Sequence, residues 1–169
     1  MDVADLLADL FGRVDDEVRG AVDGLRPEQL VTAPEPGANT IGWLVWHLTR
    51  VEDSHIAEVV DEAQLWADGP WAASFGLEPD PANSGYGHSA DDVLTVRPSG
   101  AEALLDYYRA VRERTSAYLA TLAPADLDRI VDERWDPPVT LGVRLISIAD
   151  DEIQHAGQAA YARGLLERR

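Results

Sequence analysis

Leu141-Gly142-Val143-Arg144-Leu145-Ile146-Ser147-Ile148-Ala149-Asp150-Asp151-Glu152-Ile153-Gln154-His155-Ala156 carries one stripe at three- and four-residue spacing. Leu141, Leu145 and Ile148 begin it, and Ala159 and Ala162 extend it beyond the stretch. That spacing is the signature of an amphipathic helix with one face against a core. The stripe is interrupted by two polar residues, Asp151 and His155. Four residues apart, they share a face. A carboxylate and an imidazole buried together must be paired, hydrogen-bonded or bound to metal. The helix is expected from about Thr140 to Ala162, after Pro137-Pro138 and up to Gly164.

Three further stretches repeat the pattern. The first runs from about Asp2 to Val22, with Val3, Leu7, Leu10, Val14 and Val18 aligned, until Gly24 and Pro27 end it. The second starts where Asn39 or Thr40 caps the exposed amides and continues to about Trp66 through Ile41, Leu44, Leu48, Val51 and Val59. The third opens on Ser99-Gly100-Ala101-Glu102, a capping-box pattern, and carries Leu104, Tyr108, Val111, Tyr118 and Leu122. No strand is convincing. Four such helices predict an all-α four-helix bundle, with residues 1–169 forming a single domain. The segment from Ala67 to Pro98 is rich in Gly and Pro and is expected to be a long loop. It is long enough to return along a helix of roughly 40 Å. The second and third helices can then run parallel, giving an up-down-down-up order with a long crossover. A weak repeat supports two related hairpins. Leu25-Arg26-Pro27-Glu28-Gln29-Leu30 matches Leu122-Ala123-Pro124-Ala125-Asp126-Leu127, and Thr40-Ile41-Gly42 matches Thr140-Leu141-Gly142.

Composition narrows the chemistry. There is no cysteine, which excludes disulfides, thiolate metal sites and a cysteine nucleophile; any thiol must come from outside. The 14 basic residues are all Arg, so Schiff-base and P-loop lysines are excluded. A formal charge of −17 repels phosphate backbones and anionic headgroups, which argues against nucleic-acid and membrane partners. No apolar run approaches a membrane span, and the first residues lack a basic leader. The expectation is a cytoplasmic protein.

The four histidines are His47, His55, His88 and His155. A metal site needs a third ligand facing Asp151 and His155, and the second helix offers His47 and His55. In an antiparallel pair, His47 is the closer match in height, roughly 10 Å from its helix start against a mean near 15 Å for the pair. A rival pattern is present. Glu52-Asp53-Ser54-His55 and Glu152-Ile153-Gln154-His155 both have the Glu-x-x-His spacing of di-iron carboxylate bundles. Glu17 fits as a third carboxylate, but the third helix offers no inward fourth. Trp43 and Trp46 flank His47 as pocket walls or as plain core. His88 stands in the glycine-rich loop as a fourth ligand, an acid/base or a tether of the loop. Arg97 and Arg144 are candidate anion holders, with ordinary surface arginine as the alternative.

Pro36-Gly37-Ala38-Asn39-Thr40-Ile41-Gly42-Trp43-Leu44-Val45-Trp46-His47-Leu48 resembles the second-helix signature of the DinB/YfiT-like superfamily. The nearest branch is the one allied to the N-terminal domain of mycothiol-dependent maleylpyruvate isomerase. Ser84-Gly85-Tyr86-Gly87-His88-Ser89 resembles a crossover-loop motif of that group, and His155-Ala156-Gly157-Gln158 resembles the end of its metal motif. The resemblance implies an up-down-down-up bundle with one divalent metal held by His47, Asp151 and His155. Zinc is the first expectation, with nickel or iron next, and mycothiol or another low-molecular-weight thiol as cosubstrate. It implies thiol transfer to, or thiol-assisted isomerisation or cleavage of, a small electrophile. It further implies a homodimer, for which Trp66 and Trp71 are candidate contacts. The alternative function is a non-catalytic metal-binding bundle acting in stress response or ligand binding.

Overall fold

The computed structural model describes residues 1–168 and is mostly helical. Four long helices dominate: α1 (Val3–Val22), α3 (Ile41–Val60), α7 (Ala101–Leu119) and α8 (Leu141–Leu166). Between α1 and α3 lies a single turn, α2 (Pro27–Leu30). The crossover from α3 to α7 holds three more, α4 (Leu65–Asp68), α5 (Trp71–Ser74) and α6 (Ala90–Val93). Most stripe residues go inward, but α3 is buried on all sides from Ile41 to Arg50 and its stripe residue Val51 is only half-buried. Leu7, Phe11, Val14 and Val18 go inward from α1, and Leu141, Leu145, Ile148, Ala156 and Ala159 from α8. The helices pack in a closed ring, α3 on α8, α8 on α1, α1 on α7 and α7 on α3. No helix among the described residues is long and apolar enough to cross a membrane.

Several boundaries differ from the sequence expectation. The second long helix stops at Val60, because Asp61 adopts a left-handed conformation (φ 57°, ψ 47°). Trp66 therefore belongs to a separate turn, and at 0% exposure it is core rather than a dimer contact. Trp71 likewise packs on the core, its ring 5.5 Å from that of Tyr107. The crossover is not structureless: its three helical turns bury Trp66, Ala72, Phe75, Val93 and Val96. At the start of α7, Gly100 is the cap and no side chain accepts from the first turn, so the expected Ser99–Glu102 box does not form. The last helix runs through Gly164 to Leu166. One small antiparallel hairpin, β1 (Ile130–Asp132) with β2 (Val139–Thr140), was not expected. Its strands are too short for a period-two pattern to show.

The weak repeat has a structural counterpart. Thr40 and Thr140 each cap a long helix by accepting from the third residue on, Trp43 N–H and Val143 N–H. Two residues later, Gly42 lies under the carbonyl of Leu30 and Gly142 under that of Leu127, where a Cβ would stand 2.9 and 3.3 Å away. Glycine at both places lets the preceding turn sit directly on the helix start.

Two buried polar networks lock the crossover and the core. Asp53, fully buried on α3, accepts from Arg50 (3.2 Å), Arg114 (2.5 Å) and the Tyr107 hydroxyl (2.7 Å). It also accepts from the backbone N–H groups of Leu65 (3.0 Å) and Trp66 (2.8 Å), which ties α4 down. In the second network Arg112 of α7 reaches between α3 and α8, pairing with Glu52 (3.1 Å) and Glu152 (3.0 Å), and with Asp15 of α1 at 3.0 Å. Burial and the neighbouring Glu52 push the Glu152 carboxyl well above the usual range, with Arg112 opposing.

Candidate metal centre

His47 projects from the second turn of α3, and Asp151 and His155 from one face of α8. One ligand-type atom from each lies within 4.8 Å of the other two, the one such group of three or more among the described residues. Nε2 of His47 is 3.9 Å, and Nε2 of His155 is 3.6 Å, from Oδ1 of Asp151. The two imidazoles meet edge to face with centroids 4.8 Å apart.

Each ring is oriented through its other nitrogen. Nδ1–H of His47 donates to the carbonyl of Ser84 in the crossover, and Nδ1–H of His155 donates to Oε1 of Gln158 at 3.0 Å. Those bonds fix the tautomers and leave both Nε2 lone pairs pointing at the Asp151 carboxylate. Oδ2 of Asp151 is itself buried with no hydrogen-bond partner. Three lone-pair donors facing one another repel unless a cation or protons sit among them. Burial lowers the His47 imidazole to about 4, partly opposed by the Ser84 carbonyl and reinforced by His155, so it is neutral at pH 7. Burial raises Asp151, with His155 opposing. Two neutral imidazoles and a carboxylate suit a divalent ion such as zinc, with positions left over for another ligand.

His47 and Asp151 of the trio open on a cleft of about 450 Å³ lined also by Val51, Ser54, His55, Ser84, Tyr86 and Ser147. The crossover supplies one wall because Gly85, at φ +90°, fits where a Cβ would come within 2.9 Å of Nδ1 of His47 and of the Trp46 ring.

The other sequence candidates divide. Trp43 is stacked on His47, ring centroids 4.6 Å apart at 12°, so it backs a ligand rather than walling the cleft. Trp46 is fully buried core. His88 is the loop tether: its Nδ1 accepts from the Trp43 indole N–H at 3.1 Å, so its Nε2–H donates to Asn83 Oδ1 at 3.0 Å. Both ring nitrogens are used, and neither is free for a metal. Arg97 is exposed and bonds locally to the Leu94 carbonyl at 3.2 Å, away from the trio. Arg144 is not a surface arginine. At 9% exposure it pairs with Asp132 (2.8 Å) and approaches Nε2 of His55 at 3.4 Å.

The di-iron pattern is not assembled. Glu52 and Glu152 face a guanidinium, His55 neighbours Arg144 instead of His155, and Glu17 is exposed. In the sequence Ser84 and Gln158 appear only within motifs, without a role, and Arg112 does not stand out at all. Gln158 carried a signal, three residues past His155 on the same face, whereas the Ser84 carbonyl and Arg112 are brought in by tertiary structure alone.

Comparison with known proteins places the chain in a family and matches its fold. A family model described as the DinB superfamily matches residues 10–159. A crystal structure of a conserved protein from Enterococcus faecalis is similar over 100% of this chain and 99% of its own, with 28% identity and a TM-score of 0.90. No curated protein matches the chain.

Proposed function

The chain belongs to the DinB superfamily, whose members often bind metal, and on that footing we propose that it is a divalent-metal-dependent enzyme using an exogenous low-molecular-weight thiol. The observation that carries the reading is the convergence of two oriented Nε2 lone pairs on a carboxylate whose second oxygen has no partner. A divalent ion held by His47, Asp151 and His155, zinc first, would supply Lewis acidity that keeps a thiol deprotonated at neutral pH. The protein's own contribution is orientation. Ser84 and Gln158 fix the imidazoles, Trp43 packs against the His47 ring, and the cleft admits a small molecule to a buried His47 and a partly exposed Asp151 and His155. Mycothiol fits the reading because the chain has no cysteine of its own. The reaction class is thiol transfer to, or thiol-assisted isomerisation or cleavage of, a small electrophile.

The same reading takes the four long helices as an up-down-down-up bundle with a long crossover. Its support is the order of contacts. His47 meets His155 while His55 meets Arg144, so α3 and α8 run oppositely. Arg50 meets Tyr107 while Asp53 meets Arg114, so α3 and α7 run the same way. It also includes a cytoplasmic homodimer. The test of function is thiol consumption by zinc-loaded protein against a panel of electrophiles, including epoxides, α,β-unsaturated acids and alkyl halides. Activity with at least one, abolished in His155→Ala, is expected; no consumption of any thiol would remove the enzymatic reading.

A further inference from the structure

The cleft over the metal trio does not end there. Ser54 and His55 line it and also line a continuation of about 420 Å³ that reaches Glu58 and Arg134. His55, Arg134 and Arg144 then border a third hollow of about 370 Å³ with Asp132 and Trp135. The groove therefore runs between α3 and α8 from His47 and Asp151 to His55 and Arg144, eight and seven residues along their helices. That is roughly 12 Å on α3.

The far end is chemically unlike the rest of this acidic protein. Two of its 14 arginines stand side by side there, anchored by one buried aspartate. Asp132 takes Nε and one terminal nitrogen of Arg134 (2.7 and 2.8 Å) and one nitrogen of Arg144 (2.8 Å). Both guanidiniums are thus fixed in place while the anchoring charge lies at 5% exposure behind them. NH1 of Arg144 has the His55 ring as a distant neighbour, at 3.4 Å. The other counterion, Glu58, reaches Arg134 from the rim at 2.9 Å, with 42% of its side chain exposed. An exposed pair of that kind contributes little and is readily exchanged for a ligand. The indole of Trp135, 65% exposed on the turn between β1 and β2, offers an uncommitted apolar face beside the two cations. Burial lowers the His55 imidazole to about 4, and Arg144 and Arg134 lower it further while Asp132 opposes; Nδ1 of the same ring lies 3.9 Å from Oε2 of Glu58.

We propose that Arg134, Arg144, His55 and Trp135 form the carboxylate-recognising end of the substrate site, selecting elongated small molecules whose carboxylate lies roughly 12 Å from the group at the metal trio. This rests on the metal reading for the opposite end of the ligand and on the groove alone for the carboxylate end. On binding, the carboxylate replaces Glu58 on Arg134 and accepts from Arg144, and the chain of the ligand lies past Ser54 and Ser147.

The test uses 8-mercaptooctanoate and the uncharged 8-mercaptooctanamide, titrated calorimetrically into metal-free and zinc-loaded protein. The acid should bind at least about tenfold more tightly than the amide in both forms, as expected for charge-assisted hydrogen bonds. Arg134→Gln, a substitution at an exposed side chain, should close most of that gap by weakening the acid far more than the amide. Arg144→Gln should act in the same direction, and Glu58→Gln should widen the gap by freeing Arg134. Zinc should tighten acid and amide alike through the thiol. Equal affinity for acid and amide, or a gap that Arg134→Gln and Glu58→Gln both leave untouched, would overturn the proposal. An intact acid preference with no gain from zinc would instead strike the metal reading and leave the carboxylate end standing.

Discussion

Gly85 and His47 illustrate how much of this site is decided one residue at a time. The crossover approaches α3 so closely that a methyl group on Gly85 would meet the His47 ring and the Trp46 ring at 2.9 Å each, at a φ of +90° that side chains rarely adopt. Gly85→Ala should displace the Ser84 carbonyl from Nδ1 of His47. Loss of such an orienting partner typically weakens metal affinity on the order of 10- to 100-fold. Competition with a chromogenic chelator measures it, and unchanged affinity would mean that the loop does not set the ring. The buried histidines also make a pH prediction. His47 and His55 both sit at about 4, below the ordinary value, so between roughly 6.5 and 4 the unfolded chain binds more protons than the folded one. Their contribution is complete above that window and is lost as pH falls through it. Urea midpoints of the metal-free protein at pH 7.5 and 4.5 should differ, and the difference should shrink in His55→Gln.

At the level of elements, α3 is tied to α8 behind the site through Arg112, which pairs with Glu52 and Glu152, and to α7 and α4 through Asp53. Asp53 receives five hydrogen bonds, and removing a buried charge partner of that kind costs on the order of 3–5 kcal/mol. Asp53→Ala should lower stability by about that amount in chemical denaturation. The repeated glycines make a subtler comparison. Gly42→Ala puts a Cβ 2.9 Å from both the Leu30 carbonyl oxygen and the Pro98 ring, and should cost about 1–3 kcal/mol. Gly142→Ala puts a Cβ a tight but tolerable 3.3 Å from the Leu127 carbonyl oxygen, and a gain in helix propensity of up to about 1 kcal/mol offsets the small shift needed, so it should be close to neutral. The helices themselves were legible because apolar spacing is a local signal, and the polar break at Asp151 and His155 marked the site for the same reason. The ends were less so. The left-handed Asp61, the Gly100 cap and the three turns of the crossover depend on contacts that no short window contains. The Glu-x-x-His spacings were real but ambiguous, since the guanidinium that occupies both glutamates comes from α7, sixty and forty residues away in sequence.

For the molecule as a whole, the outer face of α8 exposes Val143 (52%), Ile146 (64%), Ile153 (44%) and Tyr161 (67%), all within one narrow arc, with Leu6 of α1 beside Ile146. This face, in place of the buried Trp66, is where the proposed homodimer would form. Sedimentation equilibrium at micromolar concentration should give a dimer, shifted to monomer by Ile146→Glu; a monomer without the substitution would remove the proposal. The central claim, however, is one metal among His47, Asp151 and His155, and elemental analysis of the purified protein and its variants tests it most directly. About one equivalent of a divalent metal per chain is expected, lost in His47→Ala and His155→Ala and retained in His55→Ala. Two equivalents of iron lost on His55→Ala, or metal retained without His155, would contradict it.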